Sequence, residues 1–466
     1  MAQSLLEPEI ANRKNILNAL WFDAIDERYH DVPQAAEKTF RWIFEDYTSN
    51  EDSDEIAEDS YEFYEDCEII DEKGDKTSDD FEEIDEGMEE SDKFDDYELH
   101  PIQRPLHLSP GVSFRDWLAS GSGIFHISGK PGSGKSTLMK YLWKHDYTAR
   151  NLQTWAQASQ KELIMACFFF WKPGSPLQRS LGGLVRSLLF HVLQQSPSII
   201  ESIFPRHWNP EAYNFGELTP RINIGNDEAM EALSLLIQES HTYTKTHCFC
   251  FFIDGLDEFD DNHGSRGYGA LVNSLHEWIR TSAGAVKLCV SSRELPAFQD
   301  GLPKLQRIRL QELTRVDIEE VVYQTLYSNK RFQQMKREYP IDCQRLTDEI
   351  VEKSDGVFLW VTLALQLICN GIDNRYSLST LFRRLQVIPS ELGEFFTYIM
   401  DSIAEDDRRE AYCTLLMAIQ VSKITGRTWT NHLSLFRTSF ISDYFDDAQF
   451  ATKLDFQKED ILFNEK

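Results

Sequence analysis

The chain has 466 residues, room for about two to four domains with sizeable cores, and a formal net charge of −30. That charge is concentrated: residues 51–98 hold 25 Asp/Glu and 3 Lys, so the rest of the chain carries only −8. A body so close to neutral lacks the clustered Lys/Arg that phosphate-backbone contacts need, which argues against nucleic acid as a partner.

In chain order, residues 1–50 read as helical. Ile16, Leu17, Leu20 and Trp21 share one face, and "AEKTFRWIFED" places Phe40, Ile43 and Phe44 on another. Residues 51–98 follow as an acidic low-complexity insertion, where self-repulsion and sparse apolar content favour disorder. The aromatic residues Tyr61, Phe63, Tyr64, Phe81, Phe94 and Tyr97 leave open a partner-induced structure. From Ser113 the order alternates. Strand-like runs at Ile124–Ser128, Leu163–Trp171, Cys248–Asp254, Val286–Ser292 and Arg307–Leu310 are separated by helical patterns such as "RSLGGLVRSLLFHVLQQ" and the stretch near Ala270–Arg280. Nearly continuous apolar strands alternating with helices predict a parallel α/β sheet covered on both faces by helices. Among the eight cysteines there is no C-x-x-C pair. Cys167, Cys248, Cys250 and Cys289 fall inside apolar runs and read as buried small hydrophobes in a reducing compartment, not as a disulfide frame or zinc site.

Beyond Leu310 the pattern turns helical. Thr314 with Asp317 resembles a capping box, and helices are expected through "DIEEVVYQTL", "RLTDEIVEKS" and Gly356–Asn370, then over about Ser377–Ile419. The longest apolar run, Gly356–Ile372, is interrupted by Thr362, Gln366 and Asn370 and falls short of the roughly 20 residues that span a bilayer. It reads as a buried core helix. No basic-then-apolar leader opens the chain, and no repeat of fixed period is present. These features predict a cytoplasmic protein without a membrane span.

The chemistry concentrates at strand ends. Gly129, Gly132, Gly134, Lys135 and Ser136 in "GIFHISGKPGSGKSTLMKYL" fit G-x-x-x-x-G-K-[ST] between a strand and an amphipathic helix. The alternative, a plain glycine-rich turn, does not call for that flanking order. Gly129, Lys130, Pro131, Gly132, Ser133, Gly134, Lys135, Ser136 and Thr137 surround the phosphate position, and the backbone N–H groups of all but Pro131 can point at it, helped by the helix N-terminus. Lys135 would reach the β/γ-phosphates and Ser136 would ligate Mg²⁺. In "FCFFIDGLDEFDD" the apolar run delivers Asp254 to a strand tip, suited to hold Mg²⁺ beside Ser136. Asp257 and Glu258 follow, and either could polarise an attacking water; the alternative is a polar helix start. In "CVSSRELP", Arg293 lies at the next strand tip, where it could sense the γ-phosphate or simply pair with Glu294.

Together, "GKPGSGKST", "FFIDGLDEFDD" and "LCVSSRE" resemble the Walker A, Walker B and sensor 1 segments of NACHT-type STAND nucleotide-binding proteins. "TFRWIFED", "FFFWKPGSPLQRSLGGLVRSLLFHVLQQ" and "KSDGVFLWVTLAL" resemble the filamentous-fungal branch, with its nephrocystin-3-like and heterokaryon-incompatibility proteins. The resemblance spans roughly Ile16–Phe44 and Leu106–Ile419. It implies a P-loop NTPase fold followed by a mostly helical, winged-helix-like module. The implied division is a helical N-terminal segment 1–50, the acidic insertion 51–98, a nucleotide-binding domain 99–312, a helical subdomain 313–375 and a C-terminal region 376–466. It also implies a switch that holds ADP or GDP at rest, exchanges it for ATP or GTP with Mg²⁺, and self-associates to signal. The only histidine beyond His276 is His432, so the histidine of a winged-helix clamp has no placed counterpart. The family's usual effector domain and repeats are not seen in the sequence, so the resemblance implies a shortened paralogue or an effector acting in trans. Three function classes follow: a regulatory NTPase with slow hydrolysis, a nucleotide-binding scaffold without turnover, or a small-molecule phosphotransferase. The last is weakest, because no Arg-rich lid is visible.

Overall fold

In the computed structural model, residues 2–36, 39–44, 113–209, 222–238, 242–260 and 265–425 are described. The acidic stretch 51–98 and His432 lie outside them. The five apolar runs are strands, and all their pairings are parallel: β1 (Gly123–Ser128), β2 (Glu162–Phe169), β3 (His247–Asp254), β4 (Val286–Ser292) and β5 (Arg307–Arg309). Their order is β2-β3-β4-β1-β5. Parallel neighbours cannot be joined by hairpins, so helices carry the chain back across the sheet.

Register explains why the strands are apolar on both sides. The row Phe251–Leu288–Ile124 belongs to one core and the adjacent row Phe252–Cys289–Phe125 to the other. The first core is closed by helices Ala2–Leu20, Leu181–Gln195, Asn226–Ile237 and Ser265–Thr281, the second by Phe114–Ala119, Lys135–Lys144 and Asp146–Ala158. Lys287 is one polar exception, fully buried in β4. Its Nζ donates to the carbonyls of Trp117 (2.7 Å) and Leu118 (2.9 Å), where a cation complements the helix C-terminus, and burial pushes its pKa down to about 8. Cys167, Cys248, Cys250 and Cys289 are buried free thiols, as expected, and burial pushes the Cys250 thiol up to about 12.

The N-terminal segment departs from the helical expectation. Ile16 and Leu20 are buried in the first core, but Trp21 lies past the helix end and is 48% exposed. Over its described part, Thr39–Phe44, "TFRWIFED" forms no regular α-helix. Phe40 takes a left-handed conformation (φ 64°) and only Arg41–Ile43 makes a 3-10 turn, which buries Phe40, Trp42 and Ile43. The cause is tertiary. Asp317 accepts hydrogen bonds from the Phe40 amide (3.2 Å) and the Trp42 indole Nε1 (2.8 Å), fixing this turn against the C-terminal helices. The Thr314 hydroxyl does not cap the helix that follows it, and donates to the Gly356 carbonyl instead.

Beyond the sheet, helices Arg315–Ser328, Pro340–Ser354, Phe358–Asp373, Leu378–Val387 and Leu392–Asp401 share a third core built on Ile318, Val322, Leu346, Ile350, Trp360 and Phe395. A further helix spans Glu405–Thr425. Among the described residues no helix is long and apolar enough to cross a membrane.

Candidate functional site

β1 ends at Ser128 and the helix begins at Lys135, so residues 129–134 must reverse the chain within one turn. Two of them take conformations that L side chains avoid: Gly132 at φ 72° and Gly134 at φ 90°. Gly134 is also the N-cap and offers no side chain, leaving the first-turn N–H groups of the helix uncapped and pointed at the loop. Lys135 Nζ donates to the carbonyls of Gly129 and Lys130, both at 2.9 Å, which folds the ammonium over the loop. Burial lowers the Lys135 pKa, opposed by Asp257, Asp254 and Glu258. Ser133 Oγ is buried with no hydrogen-bond partner. Lys130 pairs through its amine with Asp355, and Pro131 is exposed, so these two contribute backbone and not side chain to the cradle. Thr137 lies in the first helical turn and is half-buried.

The strand order sets the tip of β4 between the loop and Asp254. Ser291 of β4 fills that gap. Its hydroxyl donates to Asp254 Oδ1 (2.5 Å) and accepts from the Gly255 amide (2.9 Å). Burial raises the Asp254 pKa, countered by the hydroxyls of Ser136 and Ser291. Asp254 Oδ2 is buried without a hydrogen-bond partner. One buried carboxylate with an unsatisfied oxygen, beside a serine and a phosphate loop, fits the demands of Mg²⁺. That ion binds through one or two carboxylates plus phosphate and water, not through a full protein cage. Among the described residues no group of three His, Cys, Asp or Glu side chains could hold a metal alone.

Beyond Asp254 the two acidic residues part ways. Asp257 is buried and both its oxygens are taken by Arg293: the Arg293 amide donates to Oδ1 and Nε to Oδ2, each at 2.9 Å. Neither expectation for Arg293 foresaw this, and Glu294 pairs with Arg309 instead. Glu258 is half-buried, with Oε2 accepting only from the Lys172 amide at 3.0 Å. Burial raises its pKa, with a push from Asp254 and Asp257. A cleft of about 470 Å³ opens here, lined by Arg28, Trp171, Lys172, Asp257, Glu258 and Arg293 among others. Arg28 carries no sequence signal; it is brought in by packing of the N-terminal segment.

The helical block closes on the loop from the other side. The Leu359 amide donates to the Gly132 carbonyl (3.1 Å), and a Cβ on Gly132 would stand 2.8 Å from Leu359 Cβ. Phe358 packs beside Gly134 and edge-on to Phe40, with ring centroids 5.9 Å apart. "KSDGVFL" thus serves as both a helix start and a cover for the phosphate loop.

A parallel sheet wrapped by helices, with a glycine-rich loop leading from its first strand into a helix, defines a P-loop nucleotide-binding fold. Residues 109–293 match the family described as Nephrocystin 3, N-terminal. The match ends at Arg293, the tip of β4. No curated protein matches the chain. Among solved structures, the chain is similar to the Aeropyrum pernix ORC2 protein in ADPNP–ADP complexes at 13% identity, over 73% of this chain and 83% of that one, with TM-score 0.29. It is similar to Drosophila ORC bound to DNA at 12% identity, over 75% and 92%, with TM-score 0.28. CDC6P from Pyrobaculum aerophilum aligns at 12% identity over 52% and 57%, with TM-score 0.23. At scores this low nothing of those proteins' chemistry transfers to this chain.

Proposed function

We propose that this chain is a regulatory nucleoside triphosphatase of the NACHT type, which binds ATP or GTP with Mg²⁺ and hydrolyses it slowly. The observation that carries this reading is the convergence of Lys135, Ser136, Asp254, Glu258 and the Asp257–Arg293 pair on one edge of the sheet. Lys135 releases the loop carbonyls to bind β/γ-phosphate oxygens. Ser136 and Asp254 would hold Mg²⁺, which supplies charge neutralisation on the phosphates when bound. Glu258, with its raised pKa and lightly used carboxylate, accepts a proton from the attacking water. The water oxygen bonds to the γ-phosphorus, the β–γ bridging P–O bond breaks, and diphosphate and orthophosphate leave. Arg293 trades Asp257 for the γ-phosphate and so distinguishes triphosphate from diphosphate.

In this reading 99–312 is the nucleotide domain, and 313–375 and 376–466 are the helical modules that respond. The contacts Leu359–Gly132 and Lys130–Asp355 are where nucleotide state reaches the helices. The output is self-association in the cytoplasm, or docking to an effector protein. A second reading, binding without turnover, is favoured by the full engagement of Asp257. Orthophosphate release by the full chain, compared with Glu258→Gln, separates the two. Release that the substitution abolishes supports the triphosphatase, and no release from a chain that binds triphosphate supports the scaffold.

A further inference from the structure

We infer that Arg28, supplied by the N-terminal segment, is a second phosphate-binding guanidinium of this site, acting on the terminal phosphate in cis. The inference rests on the nucleotide reading above and goes beyond it by bringing a residue about a hundred positions before the phosphate loop into the reaction centre.

Arg28 lies on the short helix Glu27–Asp31, a length that does not hold itself in place. Its surroundings do. Gln178 Nε2 donates to the Ala24 carbonyl (3.1 Å), His191 Nε2 meets Asp26 (3.2 Å), and Lys140 Nζ donates to the carbonyls of His30 (3.2 Å) and Val32 (2.5 Å). The ring of Tyr29 stands edge-on to Phe169 at 5.4 Å. Lys140 belongs to the helix that starts in the phosphate loop, and Gln178 to the connection after β2. The segment is stapled from both sides of the site, which presents Arg28 to the cleft without a flexible tether.

In the cleft Arg28 lies with Glu258, Asp257 and Arg293. Its charge reaches both Asp254 and Glu258 and partly opposes the rise in their pKa values that burial causes. Yet its buried Nε has no hydrogen-bond partner, whereas the other guanidinium, Arg293, is occupied by Asp257. A planar, permanently charged fork with a donor to spare, beside a candidate general base, has the chemistry that a phosphoryl group demands as charge builds on its equatorial oxygens.

The test uses the full chain with Arg28→Ala, Arg28→Lys and Arg28→Gln, the last keeping the stem and its packing. Calorimetry with a non-hydrolysable ATP or GTP analogue and with the diphosphate is paired with orthophosphate release. Arg28→Ala and Arg28→Gln are expected to weaken triphosphate affinity by about tenfold, to leave diphosphate affinity within about twofold, and to slow release by about a hundredfold or more. Arg28→Lys is expected to recover only part, because an ammonium cannot reproduce the fork. Equal losses for both nucleotides, or parent-like triphosphate binding and release in Arg28→Gln, would overturn the inference. Lys135→Ala is the companion control. If it abolishes binding while Arg28→Gln behaves as parent, Arg28 fails and the nucleotide site stands; if the parent binds neither nucleotide, both fall.

Discussion

Arg293 grips both oxygens of Asp257, through its backbone amide and its guanidinium Nε, each at 2.9 Å. The carboxylate is buried and the arginine side chain is 51% exposed, so the arginine is the partner free to turn toward a ligand. In the proposed reading an arriving γ-phosphate would meet a guanidinium already satisfied and would have to outcompete Asp257 for it, which would make the pair a threshold for the triphosphate.

Removing the competitor lowers that threshold. Asp257→Asn is expected to tighten triphosphate analogue binding by about three- to tenfold, since it removes a negative charge beside the phosphates while keeping the volume. Arg293→Ala is expected to weaken it by about tenfold and leave the diphosphate within about twofold. Calorimetry reads both. Weaker triphosphate binding in Asp257→Asn would give Asp257 a direct part in holding the nucleotide.

Glu258→Gln is expected to keep triphosphate affinity and to lower orthophosphate release by about 10²–10⁴-fold. Burial raises the Glu258 pKa, and a general base at this position would work only when deprotonated. Release should therefore fall as pH drops through a midpoint above the ordinary glutamate value of about 4.3. A pH profile with no such limb, or one that survives Glu258→Gln, would assign the base elsewhere.

Gly132→Ala combines two penalties, a left-handed φ of 72° and a Cβ 2.8 Å from that of Leu359. The backbone alone costs about 1–2 kcal/mol, and the contact with Leu359 must open as well. We expect a lower melting temperature together with weakened binding of both diphosphate and triphosphate. Unchanged melting and binding would mean that the loop and the Phe358–Asp373 helix move apart at little cost.

Asp317→Ala strips the acceptor from the Phe40 amide and the Trp42 indole, both buried. Leaving two buried donors unsatisfied costs about 2–5 kcal/mol, measurable by urea unfolding. A loss below about 0.5 kcal/mol would show that water reaches both donors.

What was legible in the sequence was whatever local pattern dictates. The strands are buried on both faces and so had to be continuous apolar runs. The phosphate loop needs glycines at left-handed positions, and Asp254 sits where an apolar run ends. Relationships set by packing were not legible. Asp257 and Arg293 are 36 positions apart, and the sequence offered Glu294 as a nearer partner. Arg28 lies in "DERYHD", which has no motif and owes its place to Lys140, Gln178 and His191. Phe40 reads as part of a helical face because periodicity cannot register a left-handed residue forced by a distant carboxylate. Asp317 looked like a cap for the same reason: at the sequence level its nearest backbone donors are its own.

The most direct measurement is calorimetric titration of the full chain and of Lys135→Ala with Mg²⁺ and a non-hydrolysable triphosphate, supported by a melting curve for each. Lys135 Nζ is held only by two carbonyls of its own loop, so the variant should melt close to the parent. The expected result is saturable binding by the parent and a loss of about a hundredfold or more in Lys135→Ala. Equal affinity in the two proteins, or no binding by a folded parent, would contradict a nucleotide site at this loop.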